Sequence, residues 1–128
     1  MGIKQRFEAL QQAIIEGDCE RMESFLTDDF SLNEPPALPF GGKFRGPQGY
    51  VNLIQKIGEF YKVEPLQSKL TEAGNDLLVC EFVMGFTSIR TGEYVEMQLV
   101  DLYHYNDSGL VTHVDAFYMD PGKVAAIA

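Results

Sequence analysis

The chain has 128 residues, of which 45% are apolar, 12% aromatic and 23% charged. This length and composition predict a single globular domain over residues 1–128. The formal net charge of -9 leaves too little positive charge to neutralise a run of phosphates, so nucleic-acid binding is not expected. No apolar stretch reaches the roughly 20 residues that cross a bilayer. The first residues lack the apolar core of a secretory signal. We therefore expect a cytoplasmic location without membrane contact.

Three helices are predicted in the first half of the chain. Apolar residues recur at helical spacing over residues 3–14, and Gly17 ends this first helix. Residues 18–26 follow as a short second helix that begins with an aspartate cap. A Gly-Pro pair opens the third helix over residues 46–65, because proline is tolerated at the first helical position. The first two helices form a hairpin.

Strands account for most of the remaining chain. A short strand with period-two alternation ends at Glu34, before Pro35 and Pro36, and a Gly- and Pro-rich loop follows over residues 37–46. Four longer strands are predicted at residues 66–73, 77–89, 94–105 and 110–119. The short turns between them indicate antiparallel hairpins. The pattern predicts an α+β fold in which a curved, mainly antiparallel sheet wraps three helices.

Two acidic residues fall on otherwise apolar strand faces. Asp101 shares a face with Leu99 and Tyr103, and Glu34 shares a face with Leu32. Desolvation disfavours an ionised carboxylate and raises its pKa, so one acid could donate a proton while the other accepts one. The alternative is that both are solvated residues at strand ends. We predict Glu34 and Asp101 as catalytic residues.

A second polar cluster is predicted on the opposite face of the last two strands. Counting outward from their turn sets Asp101 opposite Val114, which turns His104, His113 and Asp115 away from Asp101. These three side chains have the ligand types of a transition-metal site. A polar surface or subunit contact is the interpretation we prefer here, and no metal or organic cofactor is expected.

The order of these elements resembles the nuclear transport factor 2-like (NTF2-like) superfamily, which has a cone-shaped α+β fold. Residues 33–46 and 115–120 are typical of its SnoaL-like branch, which is related to the ketosteroid isomerases. That superfamily includes isomerases, polyketide cyclases, epoxide hydrolases and transport adaptors, so the fold does not select an activity.

The resemblance also implies roles for individual residues. Glu34 matches the isomerase general base, and Asp101 matches the protonated acid of the isomerase oxyanion hole. Leu10 and Ile54 stand where the isomerases carry tyrosines. The essential phenolic donor is therefore missing, although Tyr103 or Tyr118 could donate from another direction.

We expect a pocket between the helices and the sheet that takes a small hydrophobic molecule. Its predicted lining comprises Leu10, Tyr50, Ile54, Met97, Leu99, Tyr103, Val114 and Tyr118. Cofactor-independent acid–base chemistry of the isomerase, cyclase or epoxide hydrolase type is expected there. The alternative is a non-catalytic ligand-binding or protein-interaction domain.

An apolar patch is predicted on the convex face of the sheet. Its members are Tyr94, Val100, Leu102, Val111 and Phe117. A lone monomer would expose this patch to water, so we expect a homodimer that covers it.

Overall fold

The structure is a computed structural model that describes residues 2–128. Its elements follow in the order α1 (Ile3–Glu16), α2 (Cys19–Ser24), β1 (Leu26–Glu34), β2 (Gly42–Arg45), α3 (Gly46–Phe60), β3 (Tyr61–Ala73), β4 (Leu77–Ser88), β5 (Tyr94–Tyr105), β6 (Val111–Tyr118) and α4 (Pro121–Ala126). No helix within residues 2–128 is long and apolar enough to span a bilayer.

All six strands belong to one sheet, in the order β2-β1-β6-β5-β4-β3. Every neighbouring pair is antiparallel except β1 and β6, which run parallel. The helices pack on the inner, concave face, where their apolar side chains meet those of the sheet. The expected α+β cone with a curved, mainly antiparallel sheet is confirmed.

The first two helices form where the sequence indicates, but the second is shorter than predicted. Gly17 ends α1 in a left-handed backbone conformation, with φ at 67°. The Asp18 carboxylate accepts a hydrogen bond from the backbone N–H of Arg21 at the start of α2. Leu26 belongs to β1 and not to the helix, because it pairs with Val111 in the β1–β6 ladder.

The third helix also ends earlier than predicted. It stops at Phe60, and β3 begins at Tyr61, so Pro65 lies inside a strand. The β3–β4 register shifts between Pro65 and Gln67. A proline, which lacks an N–H, is tolerated at such an irregularity in an edge strand.

Two short elements were absent from the sequence prediction. The loop over residues 37–46 contains β2, which pairs with β1 so that Glu34 lies opposite Gly42. A fourth helix, α4, follows the last strand and carries Pro121 in its first turn. The aspartate and proline at positions 120 and 121 are a helix-start signal that could have identified it.

The predicted register between β5 and β6 is wrong by two residues. Asp101 lies opposite Ala116 and not Val114, because the turn pairs Tyr105 with Val111 instead of Leu110 and a bulge at Thr112 adds a second residue. Side chains alternate with a period of two, so this shift leaves every residue beyond the bulge on its predicted face.

Val111 is the exception to that agreement. It was expected on the convex face, but it is fully buried in the core. The bulge pairs Val111 with Tyr105, which is itself buried, so both side chains join the interior. The convex patch therefore consists of the four other predicted residues.

Candidate functional site

The two predicted acids both lie on the inner face of the sheet. Glu34 is the last residue of β1 and is 9% exposed. Asp101 lies in the middle of β5, opposite Cys80 on one side and Ala116 on the other, and is half-buried. The carboxyls are close enough that the charge of Asp101 acts on Glu34. The fold thus brings them into one region.

Burial dominates the electrostatics of both acids. It raises the pKa of Asp101 from 3.8 to about 7. It also raises the pKa of Glu34, from 4.5 to about 9, and the negative charge of Asp101 contributes the smaller part of that rise. The Oε1 atom of Glu34 is buried and has no hydrogen-bond partner within residues 2–128. Glu34 is therefore favoured as a neutral acid at neutral pH.

The burial of the two acids bears on their expected roles. Both pKa values are raised, so the pair retains a proton near neutral pH. Glu34 is the more deeply buried acid and has the unpartnered Oε1 atom, whereas Asp101 is half-buried. This difference favours Asp101 as proton acceptor and Glu34 as proton donor. The resemblance to the isomerases implied the opposite assignment.

Three tyrosine hydroxyls share the interior with the acids. The hydroxyls of Tyr50 and Tyr103 are 2.9 Å apart and form a buried hydrogen bond. Burial raises the pKa of both phenols and of Tyr118, and the charge of Asp101 adds to each rise. Phenolic donors are thus present near the acids, although Leu10 and Ile54 replace the tyrosines of the isomerases.

The predicted pocket residues all lie in the interior between the helices and the sheet. Six of them are buried, namely Leu10, Tyr50, Met97, Leu99, Tyr103 and Val114. Ile54 and Tyr118 are half-buried and pack against that core. Their role as a ligand pocket stays a prediction.

Segments that the sequence analysis did not assign to the site also close the interior. Phe40, in the loop between β1 and β2, is fully buried and packs edge-on against Tyr61. The Tyr61 hydroxyl donates to the backbone carbonyl of Val124 in α4 at 2.7 Å. Phe40 belongs to the Gly- and Pro-rich loop over residues 37–46, and nothing in that loop's sequence pattern indicated this position.

The histidine cluster lies on the outer face, as predicted. The His104 and His113 rings stack with their centroids 3.8 Å apart. Asp115 lies beside both rings, and Asn33 donates a hydrogen bond to its Oδ1 atom at 3.1 Å. Burial, followed by the proximity of His113, lowers the pKa of His104. This cluster is separated from the inner acids by the thickness of the sheet.

A shallow depression of about 590 Å³ occupies another part of the outer face. Val83, Val100 and Phe117 contribute apolar surface to it, and Lys69 and Glu81 contribute opposite charges. Phe117 is 57% exposed. The depression is therefore an open apolar surface with a charged surround.

The sequence pattern of the SnoaL-like domain family matches residues 6–114. The fold is similar to an NTF2-like protein from Burkholderia xenovorans LB400, with a TM-score of 0.89, 17% identity, and coverage of 98% of this chain and 94% of that chain. A candidate polyketide cyclase from Xanthomonas campestris pv. campestris has a TM-score of 0.79 and 18% identity, covering 98% and 96% of the two chains. TerC, co-crystallised with polyporic acid, has a TM-score of 0.74 and 19% identity, covering 91% and 90%. No curated protein matches the sequence.

Proposed function

Because the chain belongs to the SnoaL-like family, we propose that it binds a small, mainly apolar carbonyl compound and moves a proton on it. The site lies between the helices and the inner face of the sheet. The observation that carries this proposal is the pair of acids with raised pKa values, the buried Glu34 and the half-buried Asp101, beside an apolar and aromatic interior. Buried acids with raised pKa values are the groups that exchange protons at neutral pH.

Two side chains at the edge of the packed interior support contact with a ligand. Asp101 and Tyr118 point toward the interior, and burial raises the pKa of each. Both nevertheless keep accessible surface, unlike the buried Leu99 and Tyr103 on the same face. A desolvated group that keeps accessible surface lies at the edge of the packed core, where a ligand can contact it. Apolar walls with a few converging polar groups suit a small hydrophobic ligand.

The proposed step is the removal of a proton from a carbon next to a carbonyl group. The Asp101 carboxylate accepts the proton, the C–H electron pair forms the enolate double bond, and negative charge develops on the carbonyl oxygen. The neutral Glu34 carboxyl donates a hydrogen bond to that oxygen, where charge develops in the transition state. Return of the proton to another carbon gives an isomer, and attack of the enolate on a second carbonyl gives a ring.

The comparisons favour aromatic, enolisable compounds as the first candidates. TerC was co-crystallised with polyporic acid. That compound is a hydroxyquinone with phenyl rings. The Xanthomonas campestris protein bears the name of a candidate polyketide cyclase. Compounds of both kinds combine aromatic surface with carbonyl groups that form enols. The buried aromatic residues Phe7, Phe30 and Tyr50 offer surface of matching character.

The test uses 2-tetralone, an aromatic ketone with exchangeable protons next to its carbonyl. Proton NMR in D₂O follows deuterium exchange at that carbon, with and without protein. We expect the protein to accelerate exchange, and Asp101→Asn to reduce the acceleration by ~10²- to 10⁴-fold, the usual contribution of general acid–base assistance. Glu34→Gln should reduce it less, because an amide still donates a hydrogen bond.

Asp107→Asn serves as the matched control, since Asp107 is exposed in the turn after β5 and should leave exchange unchanged. Binding of polyporic acid, measured by titration calorimetry, separates the two functional classes. Saturable binding without exchange on either compound would favour a non-catalytic ligand-binding domain. Exchange that persists in Asp101→Asn would remove Asp101 from the proposed step.

A further inference from the structure

The outer face of the last two strands holds a compact set of three side chains that the acid–base site does not use. The bulge at Thr112 in β6 leaves His104 directly opposite His113 across the β5–β6 ladder. Asp115 follows His113 by two residues and lies opposite Leu102, so it projects from the same face. Two facing residues and a third at the next position of that face converge on one point.

The donor atoms of these side chains are close together. The Nε2 atoms of His104 and His113 lie 3.9 Å and 3.8 Å from Oδ2 of Asp115. One donor atom from each residue falls within 4.8 Å of the other two. All three residues are half-buried, which leaves one side of the group open to water.

Neighbouring residues already orient the donors. Asn33 donates to Oδ1 of Asp115 at 3.1 Å, which leaves Oδ2 directed at the two imidazoles. The hydroxyl of Thr112 lies 3.5 Å from Nδ1 of His113, so the opposite ring nitrogen faces the cluster. Ligands held in this way by a second layer of hydrogen bonds are typical of metal sites.

We propose that His104, His113 and Asp115 bind one late divalent transition-metal ion, of which Zn²⁺ is the representative. Two imidazole nitrogens and one carboxylate oxygen form a three-ligand set, and water completes the tetrahedron from the open side. Imidazole donors favour Zn²⁺ over Mg²⁺ and Ca²⁺, which prefer oxygen ligands alone.

The geometry needs only a small adjustment to accept the ion. Bonds of about 2.0–2.1 Å in a tetrahedron place the ligand atoms about 3.4 Å apart. The observed nitrogen–oxygen distances exceed this by about half an ångström. Rotation of the two stacked rings about their side-chain bonds closes the gap and turns both Nε2 atoms toward one point. Their half-buried positions leave room for that rotation.

The experiment is a titration of the tag-free protein with Zn²⁺. Binding is measured by calorimetry and by competition with a chromophoric chelator. We expect one ion per chain. His113→Gln and His104→Gln should each weaken binding by at least about tenfold, because each removes one of three ligands. Asn33→Ala should weaken it by about 10- to 100-fold, the usual effect of losing a second-layer partner. Asp107→Asn, an exposed acid outside the cluster, is the matched control.

Two further measurements test the identity and geometry of the bound ion. Co²⁺ should give the visible absorption bands of a tetrahedral ion, and Mg²⁺ and Ca²⁺ should not compete with Zn²⁺. Circular dichroism of each variant shows whether the fold is retained, and Asp115→Asn provides an alternative if a histidine variant fails to fold. Absence of Zn²⁺ binding, or binding that survives the His104→Gln/His113→Gln double variant, would overturn the proposal. These readings are independent of any activity at the inner acids.

Discussion

The two faces of β5 and β6 carry carboxylates in opposite environments. On the inner face, Asp101 is desolvated, and its neighbour Glu34 has a buried oxygen without a partner within residues 2–128. On the outer face, Asp115 accepts a hydrogen bond from Asn33 and lies beside two imidazoles. Adjacent register positions of one strand pair thus place a desolvated acid on one side of the sheet and a hydrogen-bonded acid beside two imidazoles on the other.

The largest expected difference between buried and exposed positions concerns stability. Phe86, on the inner face of β4, is buried and packs edge-on against Tyr61. Phe86→Ala should lower the free energy of unfolding by about 3–5 kcal/mol, because it removes a buried aromatic ring and leaves a cavity. Ile89→Ala, at a 60% exposed position just beyond the strand, should cost under about 0.5 kcal/mol. Urea denaturation measures both, and equal losses would contradict the assigned burial.

The buried acids predict a pH dependence of stability that an outer carboxylate would not produce. The folded state holds the Asp101 proton up to about pH 7, whereas the ordinary pKa is 3.8. Folding therefore binds a proton between these values, and stability falls as the pH rises through that window. The rise in the pKa of Asp101 corresponds to a loss of roughly 4 kcal/mol in the free energy of unfolding once the pH exceeds both values. Because the pKa of Glu34 is raised to about 9, its proton extends the loss of stability toward pH 9.

Asp101→Asn tests this dependence, because the amide keeps the shape without titrating. Relative to the wild type, the variant should gain stability between about pH 4 and pH 8, as followed by urea denaturation at each pH. Asp107→Asn should show no comparable gain. A constant difference between Asp101→Asn and the wild type across this range would mean that the carboxyl is solvated in the folded state.

The sequence predicted the inner face better than the elements that close it. Strand alternation placed Asp101 and Glu34 correctly, because a period of two is insensitive to a register error of two. The bulge that buries Val111 has no turn residue or proline to mark it. It arises from the pairing of β5 with β6. The side-chain distances around His113 also depend on that pairing, so spacing alone could not give them.

A smaller loss of stability is expected from the tyrosine pair of the interior. Tyr103→Phe removes one hydroxyl and leaves that of Tyr50 buried without its partner. The cost should be about 1–3 kcal/mol, the penalty for an unsatisfied buried polar group. The double variant Tyr50→Phe/Tyr103→Phe should recover part of this loss, since no hydroxyl is left unpaired. Urea denaturation of both single variants and the double variant gives the coupling, and strictly additive losses would argue against the hydrogen bond.

We propose that a second copy of the chain docks at the outer depression. Changes there should have the smallest effect on the stability of the isolated chain. Phe117 is 57% exposed there, and Lys69 and Glu81 line the same depression. A two-fold axis presents the same patch twice, so Lys69 of one copy can meet Glu81 of the other. Phe117→Asp places a charge in this contact while costing the monomer under about 0.5 kcal/mol, as for other surface changes. Sedimentation at micromolar concentration should show a dimer for the wild type and a monomer for the variant. A wild-type monomer under these conditions would contradict the proposed dimer. A dimer that survives Phe117→Asp would mean that the contact lies elsewhere on the molecule.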